Sequence, residues 1–404
     1  MLESRVSSAR NTSEQPPRSL IVVLAMFVAT VPFALDMYLP GLPGIAAELG
    51  IDAGQAAHTV SAFLFGLALG QLLMGPLSDK YGRRAILAMS LAIYTAASVA
   101  CALATGIGQL VVFRVLEAFG AGAAAVIVNA LVRDMFEERA SASVMSFVFM
   151  VMLMAPLFAP IIGGHLLELG GWRLIFWVLS AYGVICIVVN AKLLPATVDI
   201  ARSHAPTALE LLRAYAQVFA HREAMGYNLA SGFAGAALFA FITGSSFFYI
   251  GTYDVAPARF GYLFAVNVIT LMLFSSLNRV LVHRRPLRTL ILTGCVIQLC
   301  ASSVLAAGVW AGAFPLPAAI ACVALSIGSM GFIGANGTTA LLGYFPKTTG
   351  TTAAVGGISR FLFGALASFA VGVLHAGGGR SMAAVMMGCA LAGVVSLLAL
   401  TNRG

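Results

Sequence analysis

Four charged side chains of this 404-residue chain stand well inside long apolar runs: Asp36, Arg114, Glu117 and Arg360. A charge in such a run is costly, so each marks a place where function is expected. The chemistry that two carboxylates and an arginine can share is proton carriage. A carboxyl moves a proton when one setting favours its neutral form and another its charged form. Burial away from water favours the neutral acid, and a nearby guanidinium favours the carboxylate. Opening and closing a cavity switches between these settings. Asp36 and Glu117 are the two carboxylates placed for that role.

Spacing relates these groups to one another. Arg114 and Glu117 are three residues apart, so on a helix they share a face. Asp36 lies four residues before Pro40, and Arg114 lies five residues into its own run. At the helical rise their depths are about 6 Å and about 7–8 Å, which makes an Asp36–Arg114 pair the expectation. The alternative for all three is a static ion pair that fixes helix register. Arg360 falls near the middle of its run. Together with Tyr38, Asn129, Asn267 and Asn336 it is a candidate lining residue for a small-molecule cavity. The alternative for the amides is bonding between neighbouring helices.

The elements that must position these groups follow from composition. Hydrophobic residues make up 60% of the chain and charged residues 9%. A soluble domain carries about 25% charged residues, so the solvent for most of this chain is lipid. In lipid the backbone satisfies its own hydrogen bonds, as helices or closed barrels. The apolar runs here are continuous rather than alternating and about 20 residues long, the length of a membrane helix. They fall near 20–39, 56–75, 85–104, 109–130, 143–167, 173–194, 224–249, 259–281, 288–309, 315–338, 351–375 and 381–400. The fold class expected is an all-α, twelve-helix membrane protein built as two six-helix bundles.

The boundaries expected are an N-terminal bundle over 1–194, a cytoplasmic linker over 195–223 and a C-terminal bundle over 224–404. Thr207–Phe219 in the linker reads as a short amphipathic surface helix. A glycine-rich octamer ending Gly170-Gly171-Trp172-Arg173 recurs as Gly377-Gly378-Gly379-Arg380. Parallel repeats of this kind flank a central site and alternate its access. With twelve spans both ends lie on one side. Placing that side in the cytoplasm puts 18 of the 23 Lys and Arg residues inside; only Arg173, Arg259 and Arg380 fall outside. The positive-inside rule therefore orients both termini to the cytoplasm.

The net charge of +8 is thus a topology signal, and no nucleic-acid partner is expected. The six cysteines lie in apolar runs and read as packing residues, with no metal site. The six histidines have no partner pattern that would make an enzyme, and no nucleotide-binding loop is seen. No cofactor is expected, no cleavable signal peptide is expected, and the energy source expected is an ion gradient. The expected partners are the lipid bilayer, protons and a small-molecule substrate, with the chain acting as a monomer.

Three motifs refine the class. The loop after the second run reads Gly75-Pro76-Leu77-Ser78-Asp79-Lys80-Tyr81-Gly82-Arg83-Arg84. The glycines allow a tight reversal, and Asp79 is placed for the next helix N-terminus. It resembles the G-x-L-x-D-x-x-G-R-R signature of the major facilitator superfamily. The fifth run, Ala155-Pro156-Leu157-Phe158-Ala159-Pro160-Ile161-Ile162-Gly163-Gly164, resembles the antiporter motif of that family's exporters. Ala155 and Ala159 replace its first two glycines. The two prolines are expected to bend the helix, and the glycines to permit close contact.

Arg114-Val115-Leu116-Glu117-Ala118 resembles the family's R-x-x-Q-G, which is implicated in proton coupling, with Glu117 where Gln is usual. Leu35 to Pro43, Asn129 to Asp134 and Ser359-Arg360-Phe361 are similar to the bicyclomycin-resistance group of drug/proton antiporters. The resemblance implies a bacterial inner-membrane exporter of bicyclomycin- or chloramphenicol-like compounds, with Asp36 and Arg114 in the coupling machinery. A nutrient or metabolite transporter on the same fold is the alternative.

Overall fold

The computed structural model describes residues 18–194, 216–312, 314–346, 349–374 and 379–401. Most of the expected linker, including most of the Thr207–Phe219 segment, lies outside the described residues. Among the described residues eleven helices are long and apolar enough to cross a membrane. One of them contains two spans. Helix α6, Glu138–Leu193, runs for 56 residues but leaves helical geometry at Gly170 (φ −158°, ψ 21°) and Gly171 (φ 71°, ψ −178°). A straight helix of that length would measure about 84 Å against an apolar layer of about 30 Å. The positive φ of Gly171 suits a residue without Cβ. Among the described residues there are thus twelve spans, with the fifth and sixth divided at the Gly-Gly-Trp-Arg sequence.

The first span ends for a reason visible in the chain. Helix α1, Arg18–Asp36, gives way to a 3₁₀ turn at Leu39–Gly41 and a short helix α2 at Leu42–Leu49. Residue 40 is proline, which has no N–H to offer the carbonyl of Asp36 four residues earlier. Asp36 is therefore the last residue of α1, and its backbone direction changes just beyond. The remaining helices are α3 Ala53–Tyr81, α4 Arg83–Ala102, α5 Ile107–Met135, α7 Arg222–Tyr253, α8 Pro257–Leu281 and α9 Leu287–Ala311. They are followed by α10 Leu316–Gly328, α11 Met330–Gly343, α12 Thr349–Val373 and α13 Arg380–Leu400. Helices α10 and α11 together make one span.

The chain separates into two compact units. The first comprises Met1–Gly41 and Ala62–Ala205, the second Leu42–Ser61 and Pro206–Gly404. In the first unit α1, α4, α5 and α6 pack around Leu24, Phe27, Leu87, Leu91, Ile127, Leu131 and Val144. In the second, α7 packs against α12 and α13, and α9 against α11 and α13. The core there is built of small residues, with Ala230, Ala234 and Cys295 beside Ile291, Ile333 and Leu397. Short side chains let membrane helices approach closely, and dispersion contacts then hold them. The second unit also contains α2 and the start of α3, where His58 stacks on Phe369 with ring centroids 5.0 Å apart.

Candidate functional site

The first unit holds a buried charge cluster. Arg114 and Glu117 are both 0% exposed, and Arg114 Nη1 lies 2.6 Å from Glu117 Oε2. Helix α5 places them one turn apart, and Ser98 on α4 donates to Glu117 Oε1 at 2.8 Å. The same Nη1 donates to the carbonyl of Ala34 at 2.9 Å, two residues before Asp36. Three rings surround the guanidinium carbon, at 4.2 Å for Phe63, 4.4 Å for Tyr38 and 5.7 Å for Phe176. Faces of aromatic rings attract a cation, more so where water is excluded. Arg114 Nε and Nη2 are buried without a hydrogen-bond partner, and so is Asp36 Oδ1.

This corrects the expected pairing. Among the described residues the ion pair is Arg114 with Glu117, and Asp36 makes none. The i,i+3 spacing sets Glu117 beside Arg114 by helix geometry alone. Asp36 lies at the end of another helix, where Arg114 bonds the Ala34 carbonyl two residues earlier. Tyr38 is fully buried over the guanidinium, with its ring tilted against Phe176 at 5.5 Å.

The remaining candidates take different settings. Asn336 on α11 exchanges hydrogen bonds with Asn278 on α8, at 2.7 and 3.2 Å, so its amide is already engaged. Asn267 is buried, with Oδ1 unpaired. Asn129 is exposed on α5. Arg360 is half-buried on α12. Local spacing points neither to Asn278 as a partner nor to Ser98 as a hydrogen-bond donor, because both contacts cross between helices.

The loop motif forms a second cluster. Arg83 Nη2 meets Asp79 at 2.5 Å, its Nε meets Asp134 at 3.1 Å, and its Nη1 donates to Ser78 at 2.6 Å. Arg84 donates to the carbonyl of Ala191. Asp79 does not cap α4; the N-cap is Gly82 at φ 96°, and Asp79 sits in the last turn of α3. Gly75 lies one turn earlier in α3, where its carbonyl accepts from Ser78 at 2.7 Å. The arginine thus ties the end of α3 to the end of α5. In α6 the chain stays helical through Pro156 and Pro160, while Ala155, Ala159, Pro160, Gly163 and Gly164 are buried. A Cβ on Gly163 would collide with the backbone of Met37, so this helix contacts the chain directly after Asp36.

Comparisons with known proteins agree with this architecture. The chain is 30% identical over 390 residues to a Bicyclomycin resistance protein homolog of Haemophilus influenzae, covering 95% of this chain and 96% of that one. It is 26% identical over 382 residues to the Multidrug resistance protein MdtL of Escherichia coli O81, covering 94% of each. Among solved structures, a D-xylose-proton symporter superposes with a TM-score of 0.73 at 13% identity, covering 95% of this chain and 98% of that one. A bacterial homologue of the human lysosomal transporter Spinster superposes at 0.72 and 18% identity, covering 96% of each. At those identities the structures speak for the fold. The family model described as Major Facilitator Superfamily matches residues 22–368, and this multi-pass membrane chain belongs to that superfamily.

Proposed function

We propose that the protein is a proton-coupled antiporter that exports small drug-like molecules across a bacterial inner membrane by alternating access. The observation that carries this reading is the buried Arg114–Glu117–Ser98 cluster beside the end of α1, where Asp36 keeps an unpaired oxygen. In this reading Asp36 carries the proton. When Asp36 is protonated, Arg114 stays with Glu117. When it loses the proton, the free Nε and Nη2 donors of Arg114 are available to the carboxylate. Glu117 holds the arginine in the meantime, because a buried guanidinium without a counter-charge is strongly destabilising. The contact between Gly163 and the Met37 backbone supports a link from the antiporter-like helix to this site.

Similarity to bicyclomycin- and multidrug-resistance proteins supports export as the direction and drug-like compounds as the cargo. The test is drug susceptibility in an efflux-deficient host with and without the protein, over a panel that includes bicyclomycin and chloramphenicol. Raised resistance to members of the panel is expected. An unchanged profile across a panel of chemically diverse antibiotics would contradict the reading.

A further inference from the structure

The second half of the chain is poor in acid. Between residues 224 and 404 the one acidic side chain is Asp254. Yet Arg360 stands in the middle of α12, eleven residues from Thr349, or about 16 Å along the axis at the helical rise. Among the described residues it makes no ion pair and no hydrogen bond. A guanidinium at that depth is costly unless something supplies the opposite charge.

The side chain is held in place. On α7, which packs along α12, residue 235 is glycine, and a Cβ there would come within 2.9 Å of Arg360 Cγ. The stem therefore lies on bare backbone. The acids at the two ends of α7 are far from that point. Glu223 is twelve residues from Gly235, about 18 Å, and Asp254 is nineteen residues away, about 28 Å. Glu223 already accepts from Tyr344 at 2.7 Å. The acids of α2 and the turn after it, Glu48 and Asp52, are exposed, and Asp52 accepts from the Gln55 backbone at 2.7 Å. The seam between α7 and α12 also carries aromatic pairs. Phe233 stacks on Phe363 at 5.0 Å, and Phe239 lies 5.9 Å from Phe361.

The geometry points to Arg360 as the docking group for an organic anion: a transported compound with a carboxylate and an aromatic or apolar body. The fork of guanidinium donors matches a carboxylate with two parallel hydrogen bonds. The phenylalanine pairs of the seam match the body. The inference rests on the exporter reading for its cargo, but the anion site is separable from it.

The experiment is binding of nalidixate and of its neutral carboxamide to the purified full chain in detergent. Wild type, Arg360→Gln, Arg360→Lys and Gly235→Ala are compared, with thermal stability recorded for each. The wild type is expected to bind the acid more tightly than the amide. Arg360→Gln is expected to weaken acid binding about 10- to 100-fold, the worth of a charge-assisted contact, with amide binding changed less than about threefold. Arg360→Lys keeps the charge without the fork and is expected to fall between. Gly235→Ala should weaken the acid by displacing the stem.

Equal loss of acid and amide in Arg360→Gln, or no acid preference in a wild type that binds both, overturns the anion site. Should Arg360→Gln fail to fold, a folded Arg360→Lys variant that shows the full wild-type preference for acid over amide, together with an unaffected Gly235→Ala, overturns the forked contact in its place. Resistance to chloramphenicol in the efflux-deficient host with no acid preference removes the anion site and keeps the exporter. Arg360-dependent acid binding without resistance to any compound does the reverse.

Discussion

Gly163 of α6 lies against the carbonyl oxygen of Met37, the residue that follows Asp36. A side chain at 163 would have to push the backbone aside, because the opposing atom belongs to the chain and not to a flexible side-chain tip. The helix that resembles an antiporter motif and the carboxylate proposed to carry the proton are thus adjoining parts. Gly163→Ala is expected to reach the membrane at normal levels yet lose at least about 90% of export, since overpacking costs about 1–3 kcal/mol and shifts backbone. Quantitative blotting beside a susceptibility assay checks this. Full export from the alanine variant would separate the two parts.

Glu117 should tolerate an amide but not a hydrocarbon. A glutamine at 117 keeps one oxygen to accept from Arg114 and turns its amide nitrogen to the Ser98 hydroxyl, whereas Glu117→Leu strands a buried guanidinium. Loss of one partner of a buried pair costs about 3–5 kcal/mol. Thermal unfolding in detergent is expected to rank wild type above Glu117→Gln, and both well above Glu117→Leu. If the leucine variant is as stable as wild type, the pair is not holding Arg114.

Arg83 joins Asp79 and Asp134, which lie on different helices. Arg83→Ala leaves two carboxylates facing each other at the cytoplasmic side proposed for this loop. We expect at least about tenfold less export with the protein still inserted, because the interaction removed is worth about 1–3 kcal/mol. Arg83→Lys should retain part of the activity, as it keeps charge but not the fork that serves three acceptors. Equal activity of wild type and Arg83→Ala would make this cluster dispensable.

Orientation is open to a direct check. The charge bias predicts that a reporter fused after Gly404 is active in the cytoplasm, and one fused after Gly312 is active on the opposite face. The reverse pattern would invert the assignment.

Much of this arrangement is legible in the chain. Apolar run length marks all twelve spans, and Gly170-Gly171 marks the break between the fifth and sixth, because a membrane thickness and a positive φ leave few choices. Arg114 and Glu117 are legible as neighbours because i,i+3 spacing is local. What depends on contacts across helices is not. Depth alone matches Asp36 with Arg114, but depth is one coordinate, and the rotation of each helix decides which side chain meets which. The same holds for Asn336, whose partner Asn278 lies 58 residues away, and for Ser98, nineteen residues from Glu117. The seating of Leu42–Ser61 in the second unit follows from tertiary packing, which no local pattern encodes.

If Asp36 carries the proton, drug binding and proton release are linked through its carboxyl. Purified protein in weakly buffered detergent solution, with a pH indicator present, is mixed with an exported drug. The wild type is expected to release protons on mixing, and Asp36→Asn to release none while still binding the drug. Undiminished proton release from Asp36→Asn would contradict this role and move the coupling group elsewhere.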